Sequence, residues 1–320
     1  MALEIENQLR AAAKTRNFVH SLVLVGGIGA VMVLCTWVLF GQSGVVWAVV
    51  LIGVLLLLSP RIAPELIMRM YGARRVPPRP DEPLARIVAE LARRAELPAT
   101  PSVYVIPSPV INGFATGTKS DAIIAITQGM LSKLDPRELI GVLAHEIAHI
   151  RNNDLWIMNL ADTMSRFTHF MSMFGVLLFI FSLPLAFFGG QPIPWLGILL
   201  LYFAPTLSSL LQLGLSRARE YDADLEGATL SGDPQALASA LHKIEAYQGT
   251  ILETIFLPGR RVPVPSLLRT HPPTEERINR LLELHGERRP PVEVPGAESL
   301  AGRFAAPQAA PRYHLTGVWY

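Results

Sequence analysis

The chain has 320 residues, of which half are apolar and only 17% are charged. Soluble globular domains carry about 25% charged residues, so the composition indicates a membrane protein. The formal net charge of +2 is too small to indicate nucleic-acid binding. The one cysteine, Cys35, excludes an intramolecular disulfide framework and a cysteine-based zinc site.

Four apolar segments predict four transmembrane helices. The first two are expected at about residues 19–40 and 43–59, and a second hairpin is expected over residues 167–215. The chain begins with a polar, charged stretch before the first segment, which argues against a cleavable signal peptide. Two buried hairpins in a soluble core are the alternative, but four such segments exceed what a soluble core needs.

The charges that flank these segments predict their orientation. The connections at residues 42–44 and 189–192 contain no Lys or Arg, whereas the other flanks are basic. The basic residues of those flanks are Arg10, Lys14, Arg16, Arg61, Arg69, Arg74, Arg75, Arg217 and Arg219. By the positive-inside rule both hairpins then enter and leave the membrane on the cytoplasmic side. Both termini are expected on that side as well. This topology places the segments at 61–166 and 216–287 on one side of the membrane.

Residues 61–166 contain an HExxH sequence at 145–149 and are predicted to form the first part of a catalytic domain. A Pro-rich linker precedes an amphipathic helix around Leu84–Leu91, and two short β-branched segments at 103–106 and 122–126 predict strands. Asn112, Gly113, Phe114 and Ala115 lie between those strands. A strand edge beside a catalytic centre can hold an extended peptide by backbone hydrogen bonds, although the spacing alone favours an ordinary Gly-rich hairpin.

A strong helix start precedes the most informative motif of the chain. Asp135 is suited to the N-cap, Pro136 to the first helical position, and Glu138 to the reciprocal acid of a capping box. The helix predicted from there contains the sequence HEIAH at residues 145–149. Residues four apart share a helix face, so His145 and His149 can place two imidazoles on one metal ion.

Glu146 lies between these histidines, where it can act on a water activated by the metal. The pattern predicts zinc-dependent hydrolysis of a peptide bond, but a bare HExxH also occurs by chance. Catalytic zinc usually takes three protein ligands, and Glu220 is the candidate for the third. Asp224 follows one turn later and can accept a hydrogen bond from the second ring nitrogen of a ligand histidine. The alternative is that Glu220, Asp224 and their neighbours form a solvated helix face.

The rest of the chain is predicted to be soluble. A helix is expected from Pro234, a loop near the membrane surface over residues 247–268, and a last helix at about 275–284. The second catalytic segment thus covers residues 216–287. Residues 288–320 are rich in Pro, Ala and Arg and are predicted to form a disordered tail.

Four motifs in order resemble those of the HtpX-like membrane zinc metalloproteases, relatives of the CAAX prenyl proteases. They are NGFATG at 112–117, HEIAH at 145–149, SRAREYDAD at 216–224 and THPPTEER at 270–277. The likeness covers about residues 9–284. The tail after Arg288 departs from the shorter end that is usual in the family.

The resemblance implies a mainly α integral membrane protein, with four transmembrane helices and a zincin-like α+β catalytic domain that contains a small β-sheet. It implies one Zn²⁺ per chain, bound by His145, His149 and Glu220, with Glu146 as catalytic base and Asp224 behind the ligands. His271 is a candidate donor to the oxyanion, and a helix-start residue is its equally favoured alternative.

The same resemblance implies a multi-pass protein of the bacterial inner membrane with a cytoplasmic active site. Its expected substrates are proteins or peptides, in particular damaged or misassembled membrane proteins under stress. The protein is expected to contact the lipid bilayer and to bind no nucleic acid. Its oligomeric state stays open. A prenyl-protein protease and a non-enzymatic zinc-binding membrane scaffold are alternatives. A transporter or channel is disfavoured because the apolar segments carry almost no ionisable residues.

Overall fold

Long helices form most of the described residues. The strands of a small sheet occur, in the sequence, between the first and the second pair of apolar segments. The computed structural model describes residues 2–58, 64–189, 195–256, 274–284 and 289–300. The helices there are α1 (Ala2–Leu58), α2 (Pro64–Met70), α3 (Pro83–Arg94), α4 (Gln128–Lys133), α5 (Pro136–Asn152), α6 (Asp154–Gly189), α7 (Trp195–Ser231), α8 (Pro234–Phe256) and α9 (Thr274–Leu282). The strands are β1 (Arg74–Arg75), β2 (Ser102–Ile106), β3 (Gly113–Thr118) and β4 (Asp121–Thr127).

Residues 1–61 and 156–218 form one compact unit of apolar helices. Within the described residues, three stretches are long and apolar enough to cross a membrane by length and composition: Ser21–Val54, Asp154–Phe181 and Trp195–Ser231. Large apolar side chains point outward in this unit; Leu196 and Trp47, for example, are 82% and 71% exposed. Such exposure is costly in water and favourable in lipid.

The first of these stretches is broken at Gly41, which has φ 63° and ψ −145°. A side chain rarely adopts this backbone conformation, so glycine is required at the break. Beyond Gly41 the chain folds back on itself. The evidence is that a Cβ built on Gly29 would lie 3.8 Å from Ile52 Cδ1. In an unbroken helix these two residues would be separated by roughly 35 Å. Helix α1 thus consists of two halves, on either side of Gly41, that contact each other. Separate transmembrane helices at about 19–40 and 43–59 stay a prediction.

Residues 62–155 and 219–320 form the second unit, around a four-stranded sheet of order β1-β2-β4-β3. β2 is parallel to β4, and β3 is antiparallel to β4, with Phe114 opposite Ala125. Helices α3 and α5 contribute to the core that also contains strand residues. That core includes Leu84, Ile87, Leu91, Ile124, Ile126, Leu143 and Ile147. The strands and the amphipathic helix predicted before the HExxH motif are present.

Helix α8 is longer than predicted. The loop expected at residues 247–268 is helical as far as Phe256, and the prediction is wrong for residues 247–256. The physical reason is that no proline occurs before Pro258, and a helix tolerates the one glycine, Gly249, at a modest cost. Residues 257–268 lie outside the described part of the chain.

The tail also differs from the prediction over residues 289–300. Val292, Ala297 and Leu300 are buried in the core of the second unit, and the backbone N–H of Val292 donates to the carbonyl of Ser231 at 3.0 Å. A disordered tail is therefore wrong for this stretch. Its overall composition is polar and Pro-rich, but three spaced apolar side chains are enough to anchor it. Residues 301–320 lie outside the described part of the chain.

Candidate metal centre

The start of α5 is fixed by the predicted capping box. Asp135 Oδ1 accepts from the backbone N–H of Glu138 at 2.9 Å, and Glu138 Oε2 accepts from the backbone N–H of Asp135 at 2.9 Å. The Glu138 carboxylate also accepts from Ser239 and Lys243 of α8, each at 2.6 Å. This reciprocal cap, together with the tie to α8, sets the register of the helix that carries the HExxH motif.

His145 and His149 lie on one buried face of α5, as their spacing predicts. Their Nε2 atoms are 3.2 Å apart, and their rings meet edge to face at 87°. Only 7% of His145 and 6% of His149 is exposed. Two imidazole nitrogens thus converge on one point that is shielded from bulk solvent.

Glu220 of α7 completes the convergence. Its Oε2 lies 3.4 Å from His145 Nε2, and its Oε1 lies 3.9 Å from His149 Nε2. Zinc ligands at bond lengths of about 2.0–2.1 Å in a tetrahedron lie roughly 3.3–3.4 Å apart. The observed separations are close to this value, and one potential ligand atom from each of the three residues lies within 4.8 Å of the other two. Two imidazoles and a carboxylate are also the ligand chemistry that zinc accepts.

Gly227 allows α7 to come this close to α5. A Cβ at this position would lie 2.9 Å from both the Cα and the backbone N of His145. Real Cβ atoms do not come so near to backbone, so any side chain would push the two helices apart. Glycine here therefore sets the distance across which Glu220 meets the histidines.

Asp224 lies beside His145, and its main partner is an arginine of α9. Arg277 donates from Nε and Nη2 to the two carboxylate oxygens of Asp224 at 2.6 and 2.7 Å, and its Nη1 lies 3.0 Å from Glu220 Oε2. His145 Nδ1 is 3.0 Å from Asp224 Oδ1. Among the described residues this Nδ1 has no partner with hydrogen-bond geometry. The contact with Asp224 is therefore mainly electrostatic.

These charges shift the pKa of their neighbours. Burial lowers the pKa of His145, but the carboxylates of Asp224 and Glu220 outweigh burial and raise it to about 10. Burial likewise lowers the pKa of Arg277, and the same two carboxylates raise it above its ordinary value. The two carboxylates thus favour positive charge at the ring of His145. A metal ion at His145 Nε2 would compete with the proton for the same lone pair.

His149 has a carboxylate partner that the sequence analysis did not identify. Asp154 Oδ2 lies 3.0 Å from His149 Nδ1, and Asp154 Oδ1 accepts from Arg219 Nη1 at 2.8 Å. The sequence predicted Arg219 as part of a basic flank and of the motif at 216–224, and it predicted no role for Asp154. The available signal was a charged residue five positions after the second histidine, at the start of a long apolar helix.

Glu146 is half-buried and follows His145 on α5. Successive helical residues are rotated by about 100°, so Glu146 lies beside the ligand face rather than on it. Strand β3 packs against α5. Its first three residues are the predicted Gly113, Phe114 and Ala115, and Asn112 immediately precedes them. His271 lies outside the described residues.

The chain is similar to known peptidases over most of its length. The model of peptidase family M48 matches residues 78–285. A protease HtpX homolog of Ralstonia nicotianae is 37% identical over 287 residues, which cover 84% of this chain and 96% of that protein. Another, from Methylibium petroleiphilum, is 37% identical over 291 residues, which cover 85% of this chain and 99% of that protein.

The fold is also similar to that of a solved structure. The crystal structure of S. mikatae Ste24p matches 85% of this chain and 67% of its own chain, with a TM-score of 0.51 and 20% sequence identity. The family match includes both histidines of the HExxH motif, Glu220 and Arg277. The chain therefore belongs to peptidase family M48 and is a membrane metalloprotease.

Proposed function

We propose that the protein is a zinc-dependent endopeptidase that holds one Zn²⁺ per chain through His145, His149 and Glu220. The observation that carries this proposal is the convergence of three buried donor atoms, with the separations described above, where two carboxylates favour positive charge. A structural zinc site would be closed by four ligands, whereas a His₂Glu set leaves a position open for substrate and water.

The reaction follows from the residues around that point. A bound zinc ion would act as a Lewis acid, polarising the scissile carbonyl and lowering the pKa of water toward about 7. Glu146 takes a proton from the attacking water while the oxygen of that water bonds to the carbonyl carbon. Glu146 then delivers the proton to the amine as the C–N bond breaks. His271 is the candidate donor to the oxyanion.

The substrate is proposed to bind along β3 in an extended conformation. This strand is the edge of the sheet, because it pairs with β4 alone within the described residues. An extended peptide could add to the sheet there through its backbone, beside the helix that carries Glu146. Residues Asn112 to Ala115 form the start of this edge. Recognition through backbone groups suits a protease that acts on many unfolded sequences.

The proposed location is the bacterial inner membrane, with the site and both termini in the cytoplasm and four crossings in all. The break at Gly41 supports two crossings by α1, and α6 and α7 supply the others. The absence of Lys and Arg from the connections at 42–44 and 189–192 supports the orientation. The proposed substrates are damaged or misassembled membrane proteins.

The first experiment compares the parent with Glu146→Gln. Both are purified in detergent with a chelator, zinc is returned, and cleavage of the loosely folded protein casein is measured together with bound zinc. We expect the parent to cleave only with zinc. We expect the variant to hold stoichiometric zinc and to lose a factor of about 10²–10⁴ in rate, the usual contribution of a general base.

Two results would contradict the proposal. Full activity of Glu146→Gln would remove this residue from the role of base. A parent that holds zinc but cleaves neither casein nor a membrane-protein substrate would favour the zinc-binding scaffold instead.

A further inference from the structure

Asp154 is a fully buried carboxylate that divides its two oxygens between two partners. It is 0% exposed. Its Oδ2 faces His149 Nδ1 at 3.0 Å, and its Oδ1 accepts from Arg219 Nη1 at 2.8 Å. Arg219 is the immediate neighbour of Glu220 on α7. A buried carboxylate needs such compensation, and here one partner supplies the charge while the other is a candidate metal ligand.

The break between α5 and α6 falls directly before Asp154. Asn153 adopts a left-handed conformation, with φ 61° and ψ 28°, and its backbone N–H donates to the carbonyls of His149 and Ile150. Asn tolerates this conformation better than most residues. The turn that ends α5 is thus anchored on the backbone of the residue whose side chain Asp154 contacts.

We propose that Asp154, held in place by Arg219, is a positioning residue that fixes the tautomer of His149 for metal binding. A carboxylate can only accept, so Nδ1 must carry the proton. Nε2 is then left with its lone pair directed at His145 Nε2 and Glu220, where the ion would lie. Arg219 holds Oδ1 and thereby determines which oxygen faces the ring.

A second ion pair provides a control for a purely structural role. Arg151 Nη1 lies 2.5 Å from Glu226 Oε1 and also joins the end of α5 to α7. Glu226 accepts its hydrogen bond from Arg151, whereas Asp154 also contacts a histidine of the proposed metal site. If Asp154 served only to tie these helices together, removing either carboxylate would have similar consequences.

The decisive variant is Asp154→Asn, tested for zinc affinity by competition with a chelator in the full-length Glu146→Gln protein. The amide oxygen can still accept from Arg219, which turns the NH₂ group toward Nδ1. Nδ1 must then accept, and the proton moves to Nε2, where it blocks the metal. We expect the zinc dissociation constant to rise about 10–100-fold, the usual effect of changing such a partner, and Glu226→Gln to leave it unchanged.

Cobalt(II) substitution gives a second readout. We expect the d–d absorption of bound cobalt to change in Asp154→Asn and to match the parent in Glu226→Gln, because only the former alters a ligand. Asp154→Glu keeps a carboxylate and should recover part of the lost affinity. A loss of affinity caused by general destabilisation would not discriminate between these replacements.

The outcomes separate this inference from the proposed function on which it rests. If the Glu146→Gln protein itself holds no zinc, the metal site is wrong. If it holds zinc and Asp154→Asn binds equally well, or if Glu226→Gln loses as much affinity, the role of Asp154 is wrong. If Asp154→Asn does not fold, Arg219→Gln takes its place: it leaves the carboxylate without its anchor, and an affinity equal to that of the parent would overturn the proposal.

Discussion

Arg277 neutralises two carboxylates at the metal centre, so its removal is predicted to destabilise the zinc-free protein far more than the zinc-loaded one. Its side chain is 7% exposed and bonds to Asp224 twice, at 2.6 and 2.7 Å, and to Glu220 at 3.0 Å. Arg277→Met keeps the bulk and removes the charge. Removing one partner of a buried ion pair costs about 3–5 kcal/mol, and that is the expected loss in free energy of unfolding without zinc.

Zinc should restore part of this loss. The ion adds two positive charges next to Glu220 and so replaces some of the compensation that Arg277 supplied. Because the ion binds only the folded site, it stabilises each protein by RT ln(1 + [Zn]/Kd), about 2.7 kcal/mol at a hundredfold excess over Kd. Removing Arg277 also removes a positive charge beside Glu220, so we expect Kd to be lower, and this stabilisation larger, in the variant. The difference between parent and variant should therefore shrink when zinc is present.

The assay is urea unfolding of the full-length Glu146→Gln protein in detergent, with and without zinc, in the parent and Arg277→Met forms. Arg280→Met is the matched control: Arg280 lies one turn later on α9, its side chain is 55% exposed, and it stacks 3.9 Å from the Tyr221 ring. We expect this control to lose about 1 kcal/mol or less. An equal loss in the two variants, or a loss that zinc does not reduce, would refute the charge argument.

Two further changes test how α5 is held. Gly227→Ala places a methyl group 2.9 Å from the backbone of His145. We therefore expect α7 to shift, the free energy of unfolding to fall by about 1–3 kcal/mol, and zinc affinity to fall with it. Unchanged zinc affinity, measured by competition with a chelator, would contradict the role of this helix contact. Burial raises the pKa of Glu138, but Lys243, Ser239 and the backbone N–H of Asp135 outweigh burial and lower it. The stability that this carboxylate contributes is therefore present above its ordinary pKa of 4.5 and lost as the pH falls through the lower folded value. Glu138→Gln should cost about 1–2 kcal/mol at neutral pH, and the gap to the parent should close in acid thermal scans; a gap that widens there would show the sign to be wrong.

Local signals in the sequence predicted the helix that carries two of the proposed ligands. The cap at Asp135, the proline after it and the reciprocal Glu138 act within four residues, so they can be read without knowledge of the tertiary structure, and the structure contains all three. Strands β2 and β4 were predictable for the same reason, since β-branched residues and flanking turn residues act locally. Their order was not, because β2 pairs with β4 rather than with its neighbour in sequence.

The partners that hold the site could not be read in this way. Arg277 reaches Asp224 across 53 positions, and Arg219 reaches Asp154 across 65. A charged residue next to an apolar segment has many solvated alternatives, and spacing along the chain does not distinguish among them. Gly141 and Gly227 were similarly opaque: each permits close approach of a second helix, and only the packed structure reveals which backbone comes near.

The position of the ligands along the chain has a consequence for biosynthesis. His145 and His149 precede α6, whereas Glu220 lies near the end of α7, so the proposed metal set is divided by both long apolar helices. When the two histidines have been synthesised, the third proposed ligand has not yet been added to the chain, and Arg277 is added later still. Translation order alone would keep the nascent chain from cutting its neighbours, or itself, until the second pair of apolar helices has been synthesised.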